Sequence, residues 1–180
     1  MSDAFEDADA LLIACGAKTV AHPGGTLYEH LHRVRALLAE WEAPNDVQLA
    51  GLCHAFYGTD AFPSALLPLD QRATLADAIG LRAESLVHLY AGCERDEVYP
   101  RLHEHRVEFR DRFTNTHRIP DEESLNAFVE ITAANELDVV RHNRALALEH
   151  GKALLELFSG CRAHLSSAAW RAWKNEPLPQ

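Results

Sequence analysis

The sequence predicts a single domain that is almost entirely α-helical. Apolar side chains recur every three to four residues over most of its length, and clusters rich in proline and glycine separate these periodic segments. Only residues 107–119 carry a pattern that also suits a short β-hairpin. The 180 residues suffice for one well-filled core and are few for two. We therefore expect about seven helices in one domain over residues 1–174, followed by a frayed tail over residues 175–180.

The first predicted helix follows a Pro-Gly-Gly loop that also contains His22. Thr26 is placed to cap this helix, and a period near 3.6 in the apolar positions extends it from Leu27 to about Glu42. A second helix is predicted over residues 47–57. It is apolar nearly all round, which is typical of a helix at the centre of a fold.

The second half of the chain is predicted to be helical apart from residues 97–117. That stretch suits either a hairpin that turns at residues 114–116 or a helix that continues to Phe109. Trp170 and Trp173 lie near the end of the last helix, where they either complete the core or form a homodimer contact. The remaining predicted helices cover residues 70–80, 83–92, 120–140 and 144–173.

Charge and composition argue against two classes of partner. Lys and Arg total 17 against 27 Asp and Glu, for a net charge of −10, whereas a nucleic-acid-binding protein normally carries a basic stripe. No apolar run approaches the ~20 residues that span a bilayer. The N-terminus is acidic, unlike a secretory signal, and the four scattered cysteines suit buried, reduced thiols. We expect a cytoplasmic protein, of bacterial composition, with neither nucleic acid nor membrane as its partner.

Two histidines are predicted to point inward from consecutive helices. His30 lies on the apolar stripe of the first helix, and His54 lies on the most apolar helix of the chain. Tyr57 follows His54 by three residues, so the two share a face if the helix continues that far. A buried imidazole needs partners for both nitrogens, and several such groups together predict a polar pocket.

Three stretches resemble the HD-domain superfamily. Thr26–Val34 and Ala50–Ala55 are similar to its opening helices, and Ala133–Glu136 is similar to a late helix that supplies an aspartate. His54–Thr59 is also similar to an H-x-x-YGT motif of uncharacterised HD-like proteins. The resemblance covers residues 22–140 and implies a helical domain. It also implies a divalent metal held by two histidines and two aspartates.

The carboxylates of that metal site are missing here. Ala55 stands where the first aspartate is expected and Asn135 where the second is expected. Hard divalent cations prefer carboxylate oxygens, so we expect neither a metal nor another cofactor. If a metal is bound, His30 and His54 need a further ligand. The candidates are Glu29, Glu136 and Asp138.

The predicted function is therefore acid–base chemistry on a small carbonyl compound, of isomerase, lyase or cyclase type. His has a reference pKa near ~6.5 and can exchange protons at neutral pH. We assign His30, His54, Tyr57 and Asp138 to catalysis. We assign substrate binding to His22, Asn135 and Thr59.

Two alternatives stay open at this point. One is a metal-dependent hydrolase or oxygenase with a rearranged site. The other is a non-catalytic HD-like domain that binds a ligand or a protein. The expected partner of an enzyme is a small molecule, and a homodimer is compatible with either alternative.

Overall fold

A computed structural model describes residues 3–104 and 106–179 and confirms the mostly α-helical fold class. The helices of these residues pack around one continuous apolar core. They are α1 (Ala4–Ala14), α2 (Leu27–Glu40), α3 (Asn45–Cys53), α4 (Arg72–Ile79), α5 (Leu81–Gly92), α6 (Arg95–Val98), α7 (Glu122–His142), α8 (Arg144–Gly160) and α9 (Ser167–Lys174).

Two small antiparallel strand pairs complete the fold. β1 (Ala21–His22) pairs with β2 (Gly25–Thr26) directly before α2. β3 (Phe109–Asp111) pairs with β4 (Thr116–Arg118), so the hairpin predicted near residues 107–119 is confirmed. Its turn places Asn115 in the left-handed region, at a φ of 55°, a conformation that asparagine tolerates better than most residues. The alternative of a helix that continues to Phe109 is wrong.

The helices α2 and α3 form the centre of the molecule. The N-terminus of α2 carries a capping box, in which Thr26 accepts from the backbone of Glu29 and the Glu29 carboxylate accepts from the backbone of Thr26. α2 packs against α3 and against the long helix α7. A Cβ atom at Gly51 would meet Cδ1 of Leu38 at 2.2 Å, so the glycine permits the close approach of α2 and α3.

The predicted set of helices needs three corrections. α1 is absent from the predicted helices, although Asp3 caps it and Ala8 and Leu12 are buried along it. The second helix ends at Cys53 instead of residue 57, because tighter turns replace its helical hydrogen bonds from that point on. The last predicted helix is two helices, since Ser166 caps a new start for α9.

α8 forms an outer layer of the fold. Along its length only Ala147, Gly151 and Phe158 are buried, and it packs mainly against α7 and α9. None of the described helices is long and apolar enough to cross a membrane.

The two tryptophans of α9 have different environments. Trp173 is fully buried, donates its indole N–H to the carbonyl of Ala133 at 3.0 Å, and packs against the ring of Phe158. Trp170 is only half-buried. The prediction that these residues complete the core is thus confirmed for Trp173, which ties α9 to α7.

We expect Trp173→Ala to lower the free energy of unfolding by about 3–5 kcal/mol, because it removes a large buried side chain and one buried hydrogen bond. Trp170→Ala is the matched control and should cost roughly 1 kcal/mol or less. Urea unfolding monitored by circular dichroism measures both. Equal effects of the two substitutions would contradict this assignment.

Candidate functional site

A cavity of about 350 Å³ lies where the loop before α2, the end of α3 and the middle of α7 meet. The start of α6 and one face of α8 close it. Much of its wall is apolar, as is typical of small-molecule sites. Its polar lining side chains are His22, His54, Thr59, Arg95, Asn135, Glu136 and His150.

Three histidine rings form a cluster at one side of this cavity, and two of them, those of His22 and His54, belong to its lining. The rings of His22 and His30 are stacked with centroids 3.9 Å apart, and the ring of His54 meets that of His30 edge-on at 5.4 Å. His22 ends β1, His30 lies in the first turn of α2, and His54 directly follows α3. The expected inward placement of His30 and His54 is thus realised, with His22 added from the loop.

Both nitrogens of His30 are occupied by protein groups. Nδ1 lies 2.6 Å from Oδ2 of Asp138, and Nε2 lies 3.1 Å from Oδ1 of Asn135. The amide nitrogen of Asn135 donates to Glu136, which turns its oxygen toward His30. Protein groups therefore hold both ring nitrogens of His30, and neither is left for a ligand.

The Asp138 carboxylate accepts from several donors at once. Arg33 donates to it twice, at 2.7 and 3.0 Å, and His142 lies 3.1 Å from Oδ1. Burial raises the pKa of this carboxyl, but the hydrogen bonds from His30 and Arg33 outweigh burial and leave the pKa lowered. The group is therefore a buried carboxylate anion.

His54 offers one free nitrogen to the cavity. Its Nδ1 donates to the carbonyl of Gly51 at 2.7 Å, which fixes the neutral ring with a lone pair on Nε2. Among the residues that the structure describes, Nε2 has no hydrogen-bond partner. Burial, together with the charges of His30 and Arg95, lowers the pKa of His54 to about 3. At neutral pH, Nε2 can therefore accept a hydrogen bond from a ligand.

His22 is a second neutral imidazole at the cavity. Burial and the charge of His30 lower its pKa to about 4, which the nearby carbonyl of Pro23 offsets only in part. Its Nδ1 is buried without a well-formed hydrogen bond within residues 3–104 and 106–179. Arg33 holds the loop in place by donating to the carbonyls of Pro23 and Gly24.

Arg95 is a cavity residue that the sequence analysis does not single out. Its guanidinium donates to the Tyr90 hydroxyl at 3.1 Å and lies 3.6 Å from the nearest oxygen of Glu136. Burial lowers the pKa of Arg95, but the neighbouring Tyr90, Tyr99 and Glu136 reverse this and leave the pKa raised. No helical stripe or motif marks Arg95, because α6 has only four residues and follows a loop.

Tyr57 does not lie with the other predicted catalytic residues. Because α3 ends at Cys53, a spacing of three residues no longer places Tyr57 on the face of His54. Its hydroxyl donates to the buried carboxylate of Glu84 at 2.9 Å, which is also bound twice by Arg72. Tyr57 therefore braces α4 and α5, away from the cavity, which corrects its assignment to catalysis.

The remaining predicted binding residues do line the cavity. Thr59 is buried there, although its hydroxyl also accepts from the backbone of Phe62 at 3.0 Å. Asn135 lines the cavity while it contacts His30. His30 and Asp138 support the wall from behind, and neither borders the cavity directly.

These residues do not fit the divalent metal that the HD resemblance implies. His30 has no free nitrogen, and both oxygens of Asp138 are bound by protein donors. Glu29 is committed to the capping box of α2, and Glu136 accepts from Asn135. Within the described part of the chain, no three His, Cys, Asp or Glu side chains are arranged around one point where an ion could bind.

Residues 11–95 match the model of a family described as a domain of unknown function, DUF6817. The match includes His22, His30, His54 and Arg95 and ends before α7, so it excludes Asn135 and Asp138. No curated protein and no solved structure matches the chain.

Acidification is expected to destabilise the protein through His54. The ordinary pKa of 6.5 applies in the unfolded chain, whereas the folded value is about 3. Between these values the unfolded state binds a proton that the folded state does not, so stability rises with pH. We expect His54 alone to contribute up to ~1.4 kcal/mol per pH unit.

Urea unfolding at pH 5 and pH 7 checks this expectation. His54→Gln should reduce the loss of stability on acidification, while His117→Gln, at an exposed position of the hairpin, should leave it unchanged. The same pH dependence in both variants and in the wild type would contradict a neutral, buried His54.

Metal content provides a test of the rearranged metal site. Because the candidate ligands are already bound to protein groups, we expect protein purified without a metal-affinity tag to contain far less than stoichiometric metal. Elemental analysis should give the same result for a His30→Ala/His54→Ala variant. A stoichiometric ion in the wild type that disappears in this variant would contradict the expectation.

Proposed function

We propose that this protein is an enzyme that moves a proton on a small carbonyl compound bound in the histidine-lined cavity. The reaction is of isomerase, lyase or cyclase type, and no metal or other cofactor takes part in it. The observation that carries the proposal is the free Nε2 of His54 at the cavity, beside a buried His30–Asp138 pair.

His54 is the proposed base. Its Nδ1–H is held by the Gly51 carbonyl, so the ring is oriented and only Nε2 can accept a proton from the ligand. Asn135 is placed to orient the ligand carbonyl, since its amide borders the cavity. The protonated His54 returns this proton to the product, which leaves its ring neutral again. His22, the second neutral imidazole, lines the cavity as a ligand-binding residue.

His30 and Asp138 are positioning residues in this proposal. The hydrogen bond between His30 and Asp138 fixes the ring of His30, which stacks on the ring of His22 and contacts Asn135. Holding reacting groups in place contributes to catalysis without direct contact with substrate. A role for them in proton transfer is not needed.

The low pKa values of His22 and His54 favour a second candidate, a domain that binds a ligand without transforming it. With pKa values of about 4 and about 3, both rings are weak bases in the empty cavity. Nε2 of His54 then serves only to accept a hydrogen bond from the ligand.

The relation of residues 22–140 to HD-domain proteins stays a prediction. It agrees with placing a ligand between α2, α3 and α7, and supports the proposal only to that extent. We also propose a cytoplasmic location, where the four unpaired cysteines, three of them buried, stay reduced.

Deuterium exchange tests proton transfer without knowledge of the product. Small ketones, aldehydes and 2-oxo acids are incubated with the protein in D₂O, and ¹H NMR follows loss of the proton next to the carbonyl. We expect catalysed exchange with part of this panel, reduced roughly 10²–10⁴-fold in His54→Gln.

His117→Gln is the matched control, because it removes an exposed histidine far from the cavity lining. Its exchange rate should equal that of the wild type. Saturable binding of a panel member with no exchange above the buffer rate would support the binding domain instead. Equal rates in His54→Gln and the wild type would rule out His54 as the base.

A further inference from the structure

We propose that the ligand of this cavity carries a single carboxylate and that this group binds to Arg95. The inference rests on the proposed function in using the same cavity. It concerns binding and charge, however, and remains testable if no proton transfer takes place.

Among the described residues that line the cavity, Arg95 is the one lysine or arginine. Arg33 is already bound to both oxygens of Asp138 and to the carbonyls of Pro23 and Gly24. A negative group of a ligand in the cavity would therefore have Arg95 as its cationic partner, and a charge that becomes buried on binding needs such a partner.

Most side-chain N–H groups of Arg95 have no hydrogen-bond acceptor among the described residues. Its side chain is 14% exposed, yet within the described residues it makes one side-chain hydrogen bond, from Nη2 to the Tyr90 hydroxyl. Glu136 lies at 3.6 Å, beyond good hydrogen-bond distance, and also accepts from Asn135. A guanidinium offers five N–H donors in a planar fork, and a carboxylate is the planar acceptor that matches it.

Positive charge near the cavity also affects the two neutral histidines. Burial is the main cause that lowers the pKa of His22 and His54, and for His54 the charge of Arg95 lowers it further. A carboxylate bound beside Arg95 would oppose this charge and raise the pKa of His54. The ligand would therefore make His54 a better base when it binds.

The size and lining of the cavity indicate the rest of the ligand. Its volume is about 350 Å³, and Leu27, Phe62, Val139, Leu146 and Leu154 supply apolar wall. A small monocarboxylic acid with an apolar body and a carbonyl group satisfies both requirements. A phosphate monoester would bring close to two negative charges beside the Glu136 carboxylate, where Arg95 is the one guanidinium among the described lining residues.

The test compares three probes of similar shape on the full chain by isothermal titration calorimetry: benzoate, benzamide and phenyl phosphate. We expect benzoate to bind at least about tenfold more tightly than benzamide, since hydrogen bonds to charged groups contribute roughly 1.5–3 kcal/mol. Benzoate should also exceed phenyl phosphate. Equal affinities for benzoate and benzamide, or no binding of benzoate, would overturn the inference.

Two arginine variants localise the carboxylate. Arg95→Gln should abolish the preference for benzoate over benzamide. Arg141→Gln, which also removes an arginine paired with a glutamate, Glu176, should keep it. A preference that survives in Arg95→Gln, or tighter binding of phenyl phosphate to the wild type, would contradict a carboxylate at Arg95.

The wild-type protein provides a second measurement in case Arg95→Gln does not fold. Saturation with benzoate at pH 7 should shift the Nε–H resonance of Arg95 in ¹H–¹⁵N NMR, and benzamide should not. An unchanged Arg95 resonance with bound benzoate would overturn the inference. Normal benzoate binding without any deuterium exchange would instead count against the proposed function alone.

Discussion

The buried carboxylate of Asp138 is the interaction on which the site depends. It lies on α7, and through Arg33 and His30 it fixes the first half of α2 against that helix. Arg33 also donates to the carbonyls of Pro23 and Gly24, and so fixes the loop that carries His22. Removing the carboxylate would leave Arg33 and His30 without their shared partner, so α2, the loop and the cavity wall share one electrostatic constraint.

Burial gives the histidines around this carboxylate different roles. His30 is held between two oxygen atoms, whereas His22 and His54 face apolar surroundings and positive charge. The same side-chain type thus supplies one ring that the protein holds at both nitrogens and two neutral rings within a few ångströms. The neutral state of His22 and His54 arises from desolvation and from neighbouring charges, which are two of the three causes that set a pKa in proteins.

The sequence predicts the fold class, the inward histidines and the short hairpin because each depends on local pattern. His30 follows from its apolar stripe, and Asp138 follows Asn135 by three residues, so that one helix places both on the same face. Tyr57 is misplaced because the end of α3 is set by turn hydrogen bonds that carry no periodicity. Arg95 is missed for a related reason: a four-residue helix has no stripe, and only tertiary packing brings Arg95 near α7. Arg33 and its contacts join residues 105 positions apart, which one sequence cannot reveal.

Because α8 lies on the outside of the fold, the residues with which it shapes the cavity are separate from the residues that supply charge and neutral imidazole rings. Leu146, His150 and Leu154 of this helix form cavity wall, while the charged pairs and the neutral rings His22 and His54 come from other elements. Substitutions along α8 can therefore change the length and shape of the accepted molecule without disturbing the reactive groups. Selectivity in this fold can diversify while the chemistry stays constant.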